Sequence, residues 1–145
     1  MVRVIVLGFV LLTMGCNGPL PFMSGGALAG EGQPAPSEWT FAEDYGVVQL
    51  ETRPEEPYSV NIAYTLVDGR LYVNAGDTET EWVRHMEANP LVRLRVEDVI
   101  YRLRAVRVTD SAEISEFGAA WTSQSMFYRD PDDLEEVWLY QLVAR

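Results

Sequence analysis

The sequence predicts a mainly β protein with two helices, folded as a small antiparallel Greek-key barrel. Three observations predict it. Residues 58–66 alternate without a break, with Tyr58, Val60, Ile62, Tyr64 and Leu66 on one phase and Ser59, Asn61, Ala63 and Thr65 on the other. That period of two is the mark of a strand with one buried face and one polar or small face. Asp68-Gly69 follows directly and is a strong two-residue hairpin signal. Helical signals are confined to two short stretches among six strand-like runs, so most pairing must be non-local and between strands.

Taken in order, 45–53 is the first strand and 58–66 the second. The Asp68-Gly69 turn leads into a third strand over 70–75. A short helix covers 79–88 and stops at Pro90, because the residue before a proline avoids the α region. Asp77 or Thr78 is its expected N-cap, and Asp77, Glu79 and Glu81 favour the helix dipole. Residues 91–96 and 100–108 pair as a hairpin across Glu97-Asp98-Val99. Asp110-x-x-Glu113 has the form of a capping box. It opens a helix that places Ile114, Phe117 and Trp121 on one face at i, i+3 and i+7. An acidic loop, 129–136, precedes a last strand over 137–143. Val60 and Ile62 are expected to bury against Leu71, Val73 and that last strand. No internal repeat is visible.

The N-terminus has a different character. Arg3 is followed by an apolar run from Val4 to Leu12 and then Thr13-Met14-Gly15-Cys16. One basic residue, a short apolar core and small residues before a cleavage point form a secretory signal. The run is too short to span a bilayer. Cys16 is the only cysteine and stands where a bacterial lipoprotein signal places its lipidated residue. It has no partner for an internal disulfide. From Asn17 to Glu38 the chain is punctuated by Gly and Pro. A flexible tether spanning about 25 Å is one reading of that stretch. An ordered arm from Leu28 to Trp39, packed along the barrel, is the other. The division expected is a signal peptide over 1–15, a lipidated Cys and tether over 16–38, and the barrel domain over 39–145, exported and anchored to a bacterial membrane.

The 145 residues carry a formal net charge of −11. Loss of residues 1–15 removes Arg3 and leaves ten basic residues against 22 acidic ones, a net charge of −12 over 130 residues. That length suits one domain with a real core. The charge argues against nucleic acid and anionic lipid headgroups as ligands, and disfavours polyanionic cofactors unless arginines gather locally. There is no P-loop, HExxH, paired CxxC or GxSxG. One His and one Cys argue against a His/Cys metal site. His85 lies in a helix with no nucleophile elbow nearby, and reads as a surface or capping group. The 130–133 loop, Asp-Pro-Asp-Asp, lacks EF-hand spacing, so no metal is expected there either. Arg93, Arg95, Arg102, Arg104 and Arg107 have the look of an anion patch. Their alternation with apolar residues reads mainly as the solvated face of a hairpin, balanced by nearby acids.

Residues 69–108 carry a more specific signal: a strand, a polar Gly turn, and a brief helix reading Trp82-Val83-Arg84-His85-Met86-Glu87-Ala88-Asn89-Pro90, then two strands. This block resembles the flavin-binding split-barrel superfamily of pyridoxamine-phosphate-oxidase-like proteins. It is most similar to the deazaflavin-dependent nitroreductase branch, which typically reads Trp-x-x-Asn-Leu-x-Ala-x-Pro there. Trp82, Ala88 and Pro90 match; His85 stands where that branch has Asn and Met86 where it has Leu. The FMN branch often has Lys at the position of Trp82, serving the phosphate. This chain has no Lys, so that contact does not carry over. The likeness covers roughly residues 45–143.

The resemblance implies a split barrel that binds FMN or a deazaflavin and commonly dimerises with the cofactor at the subunit interface. It would place the phosphate near the 74–80 turn, with Asn74, Gly76, Thr80 and Arg84 as candidate contacts. A helix N-terminus offers free N–H groups, and an arginine fork suits phosphate. Asn61 would lie along the cofactor ring, or else face solvent. Trp82 would wall the cofactor or anchor the core. Tyr128 is a weak catalytic candidate, matching a tyrosine that some relatives use to help donate a proton. Two functions therefore stand open. One is a membrane-anchored, oxidoreductase-like protein whose cofactor carries hydride. The other is a non-catalytic envelope lipoprotein using the barrel as a ligand-binding or structural module.

Overall fold

A computed structural model describes residues 17–124 and 138–145. The expected signal peptide, Cys16, Tyr128 and the 130–133 loop lie outside the described residues.

The elements run β1 (Glu31–Gln33), β2 (Tyr45–Thr52), β3 (Tyr58–Val67), β4 (Arg70–Ala75), α1 (Glu81–Ala88), β5 (Leu91–Val96), β6 (Val99–Val108), α2 (Ser111–Gln124) and β7 (Trp138–Ala144). Strands β2 to β7 close on themselves in the order β2-β3-β4-β7-β6-β5, every pair antiparallel. This is the mainly β, two-helix antiparallel barrel that the sequence predicts. Strand β2 ends at Thr52 because Arg53 turns the chain with φ +55. Asp68 (φ 47) and Gly69 (φ 72) are both left-handed, as a two-residue hairpin turn requires.

The barrel interior takes one phase of each strand. Leu50, Leu71, Val73, Leu94 and Leu103 are wholly buried there, with Ile62, Tyr64, Leu66 and Leu142 beside them and Val60 partly buried. A second layer lies outside the barrel, where Val67, Tyr72, Val108 and Leu139 meet Phe117 of α2, flanked by Ile114 and Trp121. Half of the capping box forms: the Glu113 N–H donates to Asp110 Oδ1 at 2.9 Å, while the Glu113 carboxylate turns to Tyr72 and Arg70. Polar ties add to the apolar seam. Tyr72 Oη donates to Glu113 Oε1 at 2.5 Å, and Arg70 reaches Glu116 at 2.6 Å.

The Gly/Pro-rich stretch is laid on the barrel, which corrects the flexible-tether reading for residues 17–38. β1 pairs in parallel with β6, Glu31 opposite Val99 and Gln33 opposite Tyr101. Leu28 is buried, and its N–H donates to Glu51 Oε2 at 2.7 Å. Trp39 is buried in the interior cluster, edge-on to Tyr101 and Phe41, and its N–H donates to Gly69 O. The physical reason is that the backbone finds partners on exposed strand groups even where the side chains are too small to build a core. Because arm and α2 cover the outside, β3 is buried on both phases at its ends. Ser59 and Thr65 are enclosed, Ser59 Oγ donating to Gly26 O and Thr65 Oγ1 accepting from Gln124 Nε2.

Candidate functional site

The 74–80 turn links the end of β4 to α1. Asn74 lies in β4 opposite Leu139, half-buried in the ladder. Gly76 is exposed, and a Cβ built on it would meet nothing within 4 Å, so no close cradle surrounds it. The helix N-cap is Thr80, not Asp77 or Thr78, and it makes no side-chain capping bond. The reason is local competition. Asp77 Oδ1 accepts the Glu79 N–H at 3.0 Å, outside the helix, and Thr80 Oγ1 turns back to Asp77 O at 3.2 Å. Arg84, the candidate cation, is paired with Glu81 one turn back in α1. Asp77, Glu79 and Glu81 therefore surround this turn, and Arg84 is already neutralised. As it stands, this turn does not fit a dianionic phosphate.

Trp82 is half-buried and packs against the interior cluster, alongside buried Val83 and Met86. His85 is not a surface group. Its side chain is only 10% exposed, and Nδ1 lies 3.0 Å from Thr52 Oγ1 with Tyr58 edge-on to the ring. Burial, and secondarily the Arg53 guanidinium, hold its pKa below the ordinary 6.5. It serves as a neutral bridge between α1 and the β2–β3 end of the barrel.

Asn61 is exposed on the outer face of β3, but the N-terminal segment crosses it. Its Nδ2 donates to Leu20 O at 3.1 Å, and Gly25 bridges Ser59 beside it. A small cavity of about 230 Å³ lies here, bounded by Leu20, Phe22, Met23, Tyr58 and Asn61. The site residues inferred from the resemblance thus fall in two separate places: Asn61 beneath the N-terminal segment, and Asn74, Gly76, Thr80, Trp82 and Arg84 around α1.

Two other regions are more open. A cavity of about 690 Å³ runs past Trp39, Phe41, Tyr45, Tyr64 and Tyr101, an aromatic wall on which a planar ring could rest. Tyr64 donates to Glu43 O, and burial, followed by Glu43 and Asp44, raises its pKa. The second region is cationic. Arg93 stands opposite Arg102 in the β5–β6 ladder, and Arg95 is two residues along. The expectation of nearby balancing acids holds for Arg93, which grips buried Glu51 through both oxygens at 2.7 and 2.5 Å, and for Arg95, 3.1 Å from Asp98. It fails for Arg102 and Arg104, which have no ion pair or side-chain hydrogen bond among the described residues. The sequence shows the alternation of these arginines but not which acids come within reach.

Among the described residues no group of three or more His, Cys, Asp or Glu side chains is placed to hold a metal ion. No helix among them is long and apolar enough to cross a membrane.

No protein-family model matches the sequence, and no curated protein matches it. Solved structures do match the fold. A Listeria innocua protein described as a pyridoxamine 5′-phosphate oxidase aligns with TM-score 0.55 and 16% identity, over 68% of this chain and 83% of that one. A conserved hypothetical protein from Mycobacterium tuberculosis aligns with TM-score 0.55 and 17% identity, over 68% and 72%. An FAD-binding protein from Mesorhizobium loti aligns with TM-score 0.50 and 18% identity, over 68% and 78%. The chain has the split-barrel fold of the pyridoxamine-phosphate-oxidase-like proteins. The split barrel here is the six-strand closure of β2 to β7, with β1 added on one flank of β6.

Proposed function

We propose that this split barrel binds a flavin-type cofactor, FMN or a deazaflavin, and belongs to an oxidoreductase-like protein held at a bacterial membrane by lipid on Cys16. The observation that carries the reading is the barrel itself, shared with structures named as a pyridoxamine 5′-phosphate oxidase and an FAD-binding protein. The aromatic-walled cavity supports it, since its roughly 690 Å³ is within the usual range of small-molecule sites. A homodimer is part of the proposal.

A second reading has specific support: a non-catalytic envelope lipoprotein whose barrel is a ligand-binding or structural module. The acidic 74–80 turn, with Arg84 committed to Glu81, and the Leu20 carbonyl seated on Asn61 both favour it. The absorption spectrum of the purified full chain, followed by fluorescence titration with FMN and with a deazaflavin, separates the two. Saturable micromolar binding of either supports the cofactor reading. No binding of either at high micromolar concentration leaves the module. Anchoring is tested separately: Cys16→Ala should block maturation and release the protein from membranes. A wild-type mature protein that fractionates as soluble and unacylated without detergent would remove the anchor.

A further inference from the structure

The chain is strongly acidic, yet among the described residues three arginines are gathered without partners. Each other described arginine has one: Arg53 with Glu56, Arg70 with Glu116, Arg84 with Glu81, Arg93 with Glu51, Arg95 with Asp98, and Arg107 against the Trp138 ring at 3.7 Å. Arg102, Arg104 and Arg145 have none among the described residues. The sheet register explains why these three are neighbours. Arg93 is opposite Arg102 across β5–β6. The β6–β7 ladder, with Leu103 opposite Ala144 and Arg104 opposite Val143, brings Arg145 to the flank of Arg102. Burial and the neighbouring Arg102, Arg104 and Arg93 charges push the Arg145 guanidinium below its ordinary value. Like charges set side by side across strands oppose folding unless something offsets them. Among the described residues only Glu51 forms an ion pair within this group, and it is taken by Arg93.

A cavity goes with the cluster. β1 and β7 run along the same flank of β6, β1 beside Val99 to Tyr101 and β7 beside Leu103 to Val108. Where one hands over to the other, a groove of about 620 Å³ opens between Pro34 and Ala35 on one side and Ala144 and Arg145 on the other, over Ile100. A smaller cavity of about 260 Å³ adjoins it and shares Arg93, Arg102 and Arg145 as a wall.

We propose that this groove is a binding site for an organic phosphate, a phosphate monoester or diphosphate, with Arg102 and Arg145, which line it, as its main anion contacts. Arginine forks match phosphate oxygens in pairs, and low competition from acids leaves these two free to do so. The apolar lining of Pro34, Ala35, Ile100 and Ala144 gives the ligand body a dry surface. This site deepens the cofactor reading by giving a flavin phosphate a place away from the 74–80 turn. It also stands without that reading, since any phosphate ester of suitable size meets the same chemistry.

The test is calorimetric titration of the purified full chain with inorganic pyrophosphate, with FMN, and with riboflavin, which lacks the phosphate. Pyrophosphate should bind saturably and more weakly as salt is raised, because exposed charges are screened. The Arg102→Gln/Arg145→Gln pair should weaken it by about tenfold or more, the usual loss when charge-assisted contacts are removed. Both residues are exposed, so the fold should survive. Without ligand the double variant should be as stable as the wild type or more so, and pyrophosphate should no longer raise its unfolding midpoint. A merely solvated arginine face would give no pyrophosphate binding, or binding unchanged in the variant, and either result overturns the site. Binding that falls with Arg84→Gln and not with the pair would move the phosphate to the turn and also overturn it. Pyrophosphate binding without FMN binding keeps the groove and discards the flavin. FMN binding that is equalled by riboflavin and untouched by the pair keeps the flavin and discards the groove. Vesicles of phosphatidylglycerol, compared with phosphatidylcholine, separate a lipid headgroup from a soluble ester. Retention on phosphatidylglycerol that the pair abolishes supports the groove with the headgroup as its ligand.

Discussion

Glu51→Gln should cost the protein about 2–3 kcal/mol of folding stability. Glu51 is 4% exposed and holds three groups at once: Arg93 Nε, an Arg93 terminal nitrogen, and the Leu28 N–H. Arg93 in turn donates to Leu28 O at 3.0 Å, so the pair clamps the arm onto the β2–β5 ladder. Removing one partner of a buried ion pair typically costs about 3–5 kcal/mol, because the other charge is left without compensation. Here Arg93 retains 30% side-chain exposure, so water recovers part of that cost. The glutamine oxygen can still accept the Leu28 N–H, which keeps the loss near 2–3 kcal/mol and isolates the charge. Urea unfolding gives the number, and hydrogen exchange at the Leu28 amide reports the clamp directly. Exchange there should speed up more than at amides of β3. The double variant Glu51→Gln/Arg93→Met should recover most of the loss, since it leaves no unpaired charge and keeps an acceptor for the Leu28 N–H. A Glu51→Gln loss below about 0.5 kcal/mol, or a double variant no more stable than the single one, would show that the charge pair is not what fixes the arm.

Two further outcomes follow from the same packing. Ile62→Ala should cost about 2–5 kcal/mol in denaturant unfolding, the range for emptying a buried aliphatic site; Ile62 is 8% exposed inside the barrel, and a loss under half a kcal/mol would contradict its place there. His85 should impose a pH dependence. Its folded pKa is lowered, first by burial and then by Arg53, so the unfolded chain binds the proton more readily. The stability from the neutral imidazole is therefore complete above the ordinary value of 6.5, and is lost as pH falls below it towards the folded value. Comparing unfolding midpoints of wild type and His85→Gln between pH 7.5 and 5 isolates this effect from the carboxylates; parallel curves would show that His85 is not held neutral.

Local periodicity carried the fold, and long-range pairing carried what the sequence hid. The alternation of 58–66, the left-handed Asp68-Gly69 turn and the Asp110 to Glu113 cap each depend on residues a few positions apart, and each is in place. The arm lacked such a signal. Leu28 is fixed by Glu51, 23 positions away, and β1 is three residues of Glu, Gly and Gln whose pairing is all backbone. The arginines show the limit most directly. Read along the chain, Arg93, Arg95, Arg102 and Arg104 look alike, each next to an apolar residue and within reach of acids. The fold separates them. Arg93 finds Glu51 on a strand 42 positions earlier, and Arg95 finds Asp98 in its own hairpin turn. Arg102 lies opposite Arg93, and closure of the barrel sets Arg104 opposite Val143 and brings Arg145 alongside; neither Arg102 nor Arg104 has an acidic side chain as partner among the described residues. Their lack of partners is set by strand register and barrel closure, two properties that no window of sequence contains. A phosphate ligand at that point would supply the negative charge that the topology withholds.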